Sequence, residues 1–269
     1  MSVNNLSISS IIQTIKDAKL LEQLLDAYDS LGIRPILGYE IEFYLPSANT
    51  TQCKMQIQDL FNTQVLEEKG KNQYEINQGP FPSVLSAIES IHLARAKLVY
   101  CGANLSPKPF INDYGNSMHL HLNFLDLANH NIFNDDQVLQ RCAYSICDFL
   151  SQTLYVLMPS EENYLRFSAK FMAPTHISYG KNNRSAAVRV PGGLPKRLEY
   201  RICSNQSDPY VAIFILLKAS RMGLFNAIDI SNFYGPIFGN AFDEQYLLEP
   251  LAKNLTQAQK AFNMKFFIE

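Results

Sequence analysis

An α+β fold with a largely antiparallel sheet is what this chain of 269 residues predicts. Two patterns carry that expectation. Helix-like and strand-like segments mix without the regular βαβ alternation of a parallel sheet. Three of the strand-like segments also set ionisable side chains two residues apart: Glu40-Ile41-Glu42, His119-Leu120-His121 and Arg197-Leu198-Glu199-Tyr200-Arg201. Residues i and i+2 of a strand share a face. One sheet face would therefore gather carboxylates, imidazoles and guanidinium groups that an apolar core rejects. Such a face suits metal ions and a polyanionic ligand such as ATP.

Each element has its own signature. Residues 11–31 carry apolar side chains at helical spacing (Ile11, Ile12, Ile15, Leu20, Leu21, Leu24, Leu25, Tyr28), with Gly32 as the C-cap. Residues 35–45 are strand-like and end at Pro46, and residues 72–77 form a short strand bounded by Gly70 and Gly79-Pro80. A helix follows Pro82 and Ser83, runs to about residue 100 and stops at Gly102. Across 118–125 the alternation is clean: Leu120, Leu122 and Phe124 take one face, His119, His121 and Asn123 the other. Residues 135–157 read as helix up to Pro159, and strands follow at 176–179, 186–190 and 197–203. Pro209 opens a helix over 210–222, and a final amphipathic helix starts near Phe242.

The bulk numbers exclude some classes of function. A hydrophobic content of 47% over this length supports a sizeable core. Net charge is -2 with no run of Lys or Arg, which argues against nucleic acid or an anionic membrane as partner. The longest apolar run, 211–217, falls far short of the ~20 residues that span a bilayer. The first residues lack the charged-then-apolar layout of a signal peptide. Five cysteines form no CxxC pair, which points to buried free thiols. A soluble cytoplasmic protein is expected.

The carboxylates carry the chemistry. Glu40 and Glu42 share a face, with Tyr39, Ile41 and Phe43 on the opposite one; Glu75 follows in Gln73-Tyr74-Glu75, with Glu67 and Glu68 about one loop before it. Any one pair also fits a solvated outer face. Glu199 between Arg197 and Arg201 also fits an ion-pair ladder, and His119 a satisfied core histidine. Together on neighbouring strands they are harder to explain that way, because clustered acids repel unless cations neutralise them. Carboxylates with water and phosphate suit Mg²⁺, and a His ligand also admits Mn²⁺. Arg184 and Arg189 flank a strand before the loop Gly192-Gly193, and their forks match phosphate or carboxylate oxygens. The chain contains no P-loop, no GxGxxG and no GxSxG, so metal and arginines would have to hold a nucleotide.

Five motifs stand in order: Gly38-Tyr39-Glu40-Ile41-Glu42-Phe43-Tyr44; Gln73-Tyr74-Glu75; Pro107-Lys108-Pro109 with Gly115-Asn116-Ser117-Met118-His119-Leu120-His121; Asn183-Arg184-Ser185-Ala186-Ala187-Val188-Arg189-Val190-Pro191; and Arg197-Leu198-Glu199-Tyr200-Arg201 before Asp208-Pro209-Tyr210. In wording and order they resemble glutamine synthetase. The resemblance implies a glutamine synthetase-like catalytic domain, a curved antiparallel sheet flanked by helices, over 1–269. Its motif-bearing core would span about 20–215 and a C-terminal helical region about 216–269. It further implies an ATP-dependent ligase with two or three Mg²⁺ or Mn²⁺ ions and ATP as substrate. By motif match, Glu42, Glu75 and Glu68 (or, with the longer spacing, Glu67) would hold one ion, and Glu40, His119 and Glu199 the second. Arg184, Arg189 and Arg197 would face the phosphoryl groups. His121 and Asn123 would lie with Arg189 and Arg197 on the nucleotide side. Arg166, Arg201 and the Gly115 backbone would hold the carboxylate substrate. In the family, ATP turns a side-chain carboxylate into an acyl phosphate, and an amine displaces phosphate.

Three departures shape the functional expectation. The small β-grasp domain that normally precedes the catalytic domain has no counterpart in this sequence, so a monomer or small oligomer is expected rather than a ring. The family's Gly-Tyr-Glu-Ala-Pro flap, whose acid helps deprotonate ammonium, reads Lys170-Phe171-Met172-Ala173-Pro174. A thioether takes no proton and attracts no cation. The substrate loop reads Tyr114-Gly115-Asn116-Ser117 where the family usually has Asn-Gly-Ser-Gly. The expectation is amide formation between the γ-carboxylate of glutamate, or a related acid, and an organic amine. Two alternatives are a glutamate–ammonia ligase completed by a separate β-grasp partner and a non-catalytic nucleotide-binding homologue. The aromatic stretch 233–269 fits packing on the core or on another subunit.

Overall fold

The computed structural model describes residues 7–225 and 235–268. The chain opens on α1 (Ile8–Asp17) and α2 (Leu20–Asp29). These replace the single helix expected over 11–31, because Lys19 takes a left-handed φ of 49° and turns the chain between them. Ser7 caps α1 by accepting from the Ser10 N–H, and Gly32 closes α2 at φ 66°. The break lets Ile11 and Ile15 as well as Leu21, Leu24 and Tyr28 reach the core.

Next come β1 (Arg34–Tyr44), α3 (Thr50–Phe61), β2 (Val65–Glu67), β3 (Gln73–Phe81), α4 (Val84–Tyr100) and β4 (Met118–Leu125). Strand β3 runs past the expected stop at 77 because Gly79, at φ 114°, makes the close approach possible. A Cβ there would lie 2.9 Å from the Gly38 Cα, at the point where the β1–β3 register shifts between Leu37 and Tyr39. Then follow α5 (Asp136–Asp148), α6 (Leu150–Leu157), the one-turn α7 (Glu161–Tyr164), β5 (Tyr179–Lys181), β6 (Val188–Val190), β7 (Leu198–Tyr200) and α8 (Pro209–Leu224). The helix expected over 135–157 is thus two, parted at Phe149. The three late strands keep only three residues each, and His176 retains an isolated bridge to Pro250.

In place of a long final helix from Phe242, a single tight turn at Glu244–Tyr246 precedes α9 (Leu255–Ala261) and α10 (Lys265–Ile268). Pro250 interrupts the run, and Asn254 caps α9 by accepting from the Gln257 N–H. Within the aromatic stretch, Phe233, Tyr234 and Glu269 lie outside the described residues. Phe266 and Phe267 are buried in the core, Phe262 packs on Tyr155 with ring centroids 5.6 Å apart, and Phe238 is exposed.

The seven strands form one α+β sheet in the order β2-β3-β1-β4-β7-β6-β5, antiparallel except for β5–β6. Tyr39, Ile41 and Phe43 of β1 and Leu120, Leu122 and Phe124 of β4 are buried on one face. Helices α2 and α4 cover it, and α8 packs against both of them. Tyr39 shares a 2.8 Å hydrogen bond with the Ser90 hydroxyl, Tyr28 stacks on Phe124 at 5.3 Å, and the Tyr28 hydroxyl donates to the Leu217 carbonyl. Burying each such side chain contributes about 1.5–3 kcal/mol, which fixes the outward direction of the residues between them. All five cysteines are free and buried. Among the described residues no helix is long and apolar enough to cross a membrane.

Candidate metal and nucleotide site

The opposite face carries the polar residues, and strand register brings them together. Glu42 pairs with Glu75 across β1–β3, Glu40 with His119 across β1–β4, and Glu199 with His121 and Arg189 across β4–β7 and β6–β7. The apolar pairs Ile41–Ile76, Tyr39–Leu120 and Leu122–Leu198 hold that register from behind. A slip of one residue would drive the carboxylates into the core.

Two groups result. Glu40, His119 and Glu199 offer ligand atoms within 4.8 Å of one another, and so do Glu42, Glu68 and Glu75. Glu68, rather than Glu67, sits in the second group. The Glu67 side chain is 76% exposed and lies 3.4 Å from Lys54, whereas Glu68 turns inward, 4.0 Å from Arg184.

In the first group, His119 Nδ1 is 3.0 Å from Glu40 Oε2 and 3.4 Å from Glu199 Oε1, and His121 Nε2 is 2.8 Å from Glu40 Oε1. Glu199 is wholly buried between Arg189 at 2.8 Å and Arg201 at 2.7 Å. Burial opposes the charge on Glu40, but hydrogen bonds from His119 and His121 outweigh it and hold the carboxyl well below the usual range. Burial opposes Glu199 in the same way, and Arg201 followed by His119 keeps it ionised. His119 feels burial and Arg201 pushing its pKa down, yet Glu42, Glu40 and Glu199 together raise it.

The second group lacks such partners. Burial first, then the charges of Glu40 and Glu68, push Glu75 up to about 8, against an ordinary value of 4.5. Glu42 accepts through Oε2 from the Ser117 N–H at 2.7 Å and from the Ser117 hydroxyl at 2.5 Å. Buried and half-buried carboxylates with one imidazole form a donor set for a hard divalent cation, and such a cation would relieve the electrostatic strain on Glu75. The residues present fit the metal.

The arginines are spread over the site. Arg197 Nε lies 3.2 Å from His121 Nδ1, Arg189 is drawn onto Glu199 and Asn182, and exposed Arg184 borders Glu68. Arg166 is buried, with its guanidinium donating to the Ile202 carbonyl, and burial lowers its pKa to about 10, so it stays charged at neutral pH. The Nε atoms of Arg166, Arg189 and Arg201 are buried without a partner among the described residues. Arg166 and Arg201 line the smaller of two adjoining cavities, and unpaired donors there favour an anionic ligand.

Two cavities adjoin the carboxylates. The smaller, about 90 Å³, is lined by Glu42, Glu68, Gly115, Arg166, Arg184 and Arg201, and walled by Tyr114, Phe171 and Met172. Gly115 must be bare here, since a Cβ would lie 2.6 Å from Arg166 Cγ and 2.7 Å from the Pro107 carbonyl. The larger, about 380 Å³, is lined by Glu40, His121, Asn123 and Arg197 with Pro80 and Pro195. The three arginines matched to the phosphoryl groups are therefore divided: Arg184 borders one cavity, Arg197 the other, and Arg189 neither. Sequence reasoning assigned no role to Ser117, although its place two residues before His119 on one strand line was the available signal. The packing of Tyr114 on Phe171, at 5.1 Å, and of the Lys108 ammonium over Phe171, at 4.1 Å, leaves no trace in residue order.

Comparison with known proteins follows the same lines. A profile of the glutamine synthetase catalytic domain matches residues 54–269. The γ-glutamylputrescine synthetase of Escherichia coli is 22% identical over an alignment covering 89% of this chain and 61% of that protein. The glutamine synthetase of Pyrococcus woesei is 28% identical, covering 78% and 56%. The chain thus spans about six-tenths of the length of these curated relatives. Among solved structures, a GmaS–ADP complex superposes with a TM-score of 0.76 at 20% identity, over 90% of this chain and 66% of that one. The Plasmodium falciparum glutamine synthetase superposes at 0.73 and 15%, over 92% and 71%. These likenesses give the fold.

Proposed function

Because the chain belongs to the glutamine synthetase family through its catalytic domain, we propose that it is an ATP- and Mg²⁺-dependent carboxylate–amine ligase whose acceptor is an organic amine. The observation that carries the ligase reading is the pair of acidic groups on one sheet face, each within ligand reach of a common point. A divalent ion in each would lower the cost of bringing ATP phosphates beside carboxylates and would offset charge on the transferring phosphoryl group. Glu42, Glu68 and Glu75 would hold one ion, and Glu40, His119 and Glu199 the other.

The remaining work falls to this chain's own residues. The larger cavity takes the nucleotide, with His121, Asn123 and Arg197 along its wall. Arg166 and Arg201, held behind Gly115, bind the carboxylate substrate in the smaller cavity. Arg184, at the rim beside Glu68, meets the phosphoryl group in transit. A glutamate γ-carboxylate oxygen attacks the terminal phosphorus of ATP, the bond to ADP breaks, and an acyl phosphate forms. The neutral amine then attacks the acyl carbon, the C–O bond to phosphate breaks, and the departing phosphate carries away the amine proton. Met172, Phe171 and Tyr114 form an apolar wall where an ammonium site would need an acid, and such a wall accommodates an alkyl amine. The name of the E. coli relative gives a precedent for a γ-glutamyl amide of an organic amine.

The test is ADP release with glutamate and Mg²⁺ across ammonia and a panel of amines. Release with an organic amine above that with ammonia is expected. Ammonia as the best acceptor would move the assignment to a glutamate–ammonia ligase. Nucleotide binding without ADP release on any acceptor would remove the ligase reading.

A further inference from the structure

Ser117 lies between the two acidic groups and touches both. Its side chain is buried, and its hydroxyl is 2.5 Å from Glu42 Oε2 and 2.9 Å from His119 Nε2. Hydrogen-bond polarity fixes the direction of this chain. An ionised carboxylate only accepts, so the hydroxyl proton points to Glu42. The Ser117 oxygen is then an acceptor, and His119 Nε2 must carry the proton that fills it. With Nε2 committed to Ser117, Nδ1 is the nitrogen left to face Glu40 at 3.0 Å, to which it donates in the metal-free protein, and Glu199 at 3.4 Å; a cation there would take the place of the Nδ1 proton. At the other end, the Ser117 N–H and O–H both occupy Glu42 Oε2. That leaves Glu42 Oε1 for the group it forms with Glu68 and Glu75.

We propose that Ser117 is the positioning residue that joins the two cation sites, setting the His119 tautomer on one side and the Glu42 carboxylate orientation on the other. The inference rests on the two-cation reading above. Ser117 need not touch substrate or metal; it acts through the ligands, as hydrogen-bond partners of metal ligands do. Both sites answer to one hydroxyl, so its loss should weaken both.

The test uses Mn²⁺ alone as probe, followed by electron paramagnetic resonance, with the ¹⁴N modulation of a bound imidazole as the signature of His119 ligation. In the wild-type protein two sites fill and one shows the nitrogen signal. Ser117→Ala, checked for an unchanged melting profile, should weaken both sites about 10- to 100-fold and diminish the nitrogen signal, whereas Ser117→Thr, which keeps the hydroxyl, should restore them. Ser117→Gly serves as an independent variant with the same expected loss. Wild-type affinity at both sites in the Ala and Gly variants overturns the proposal, and so does weakening confined to the site without the nitrogen signal. A wild-type protein that binds no Mn²⁺ removes the two-cation reading itself, a result distinct from either.

Discussion

The two acidic groups meet the same electrostatic problem with opposite means. Around Glu40, His119 and Glu199, two arginines and a second histidine surround the charge, so the carboxyls stay ionised even in the absence of any ion. Around Glu42, Glu68 and Glu75, exposed Arg184 stands 4.0 Å from Glu68 and His119 4.0 Å from Glu42, and Glu75 is still pushed toward its neutral form. The first group is assembled by the fold; the second is left short of positive charge. In the first group the charge is balanced within the fold; in the second it is not, and a cation there would supply the balance.

Breaking the balanced group should have the largest effect. Glu199→Ala leaves buried Arg201 without its carboxylate partner and half-buried Arg189 with only Asn182. About 3–5 kcal/mol of stability should be lost along with all metal-dependent turnover, as read by urea unfolding and ADP release. Arg184→Ala, at an exposed position, should cost roughly 10²–10³ in rate with an unchanged unfolding midpoint. Equal loss of fold and rate would place Arg184 in the frame instead. Glu68→Gln should weaken one Mn²⁺ site by about 10- to 100-fold while Glu67→Gln leaves both intact. The reverse result in a binding titration would exchange their roles.

The smallest effect is in pH. Because Glu75 has a folded value near 8 against an ordinary 4.5, the metal-free protein carries its proton throughout that window. An arriving cation must displace it, so metal affinity should rise with pH by up to about tenfold per unit and level off above about 8. By linkage, the stability that this protonated group contributes to the metal-free fold is present below 4.5 and lost as pH rises through about 8. Proton release measured by calorimetry in two buffers of different ionisation enthalpy checks the sign, and Glu75→Gln should abolish the slope.

Much of this was legible in residue order, for a definite reason. Alternation on β1 and β4 declares both faces at once, so the apolar and ionisable sets could be read before any pairing was known. What could not be read is what depends on packing or on single dihedrals. Lys19 and Phe149 divide helices without a Gly or Pro to announce it. Helix α3 buries only Cys53 and Ile57, too few apolar positions to show a period, and β2 has three residues. The choice of Glu68 over Glu67 turns on which carboxylate points inward at the end of β2, which spacing alone does not decide. That Arg189 borders neither cavity likewise follows from the pull of Glu199 on its guanidinium.

The outermost strands, β2 and β5, are three residues long, and the Ile237 N–H bonds the Tyr179 carbonyl. A sheet whose long central strands all have neighbours offers few open backbone groups at its margins. This geometry discourages edge-to-edge association and aggregation, so the chain can keep an extended polar face open to solvent with little risk of templating a stack of its own copies.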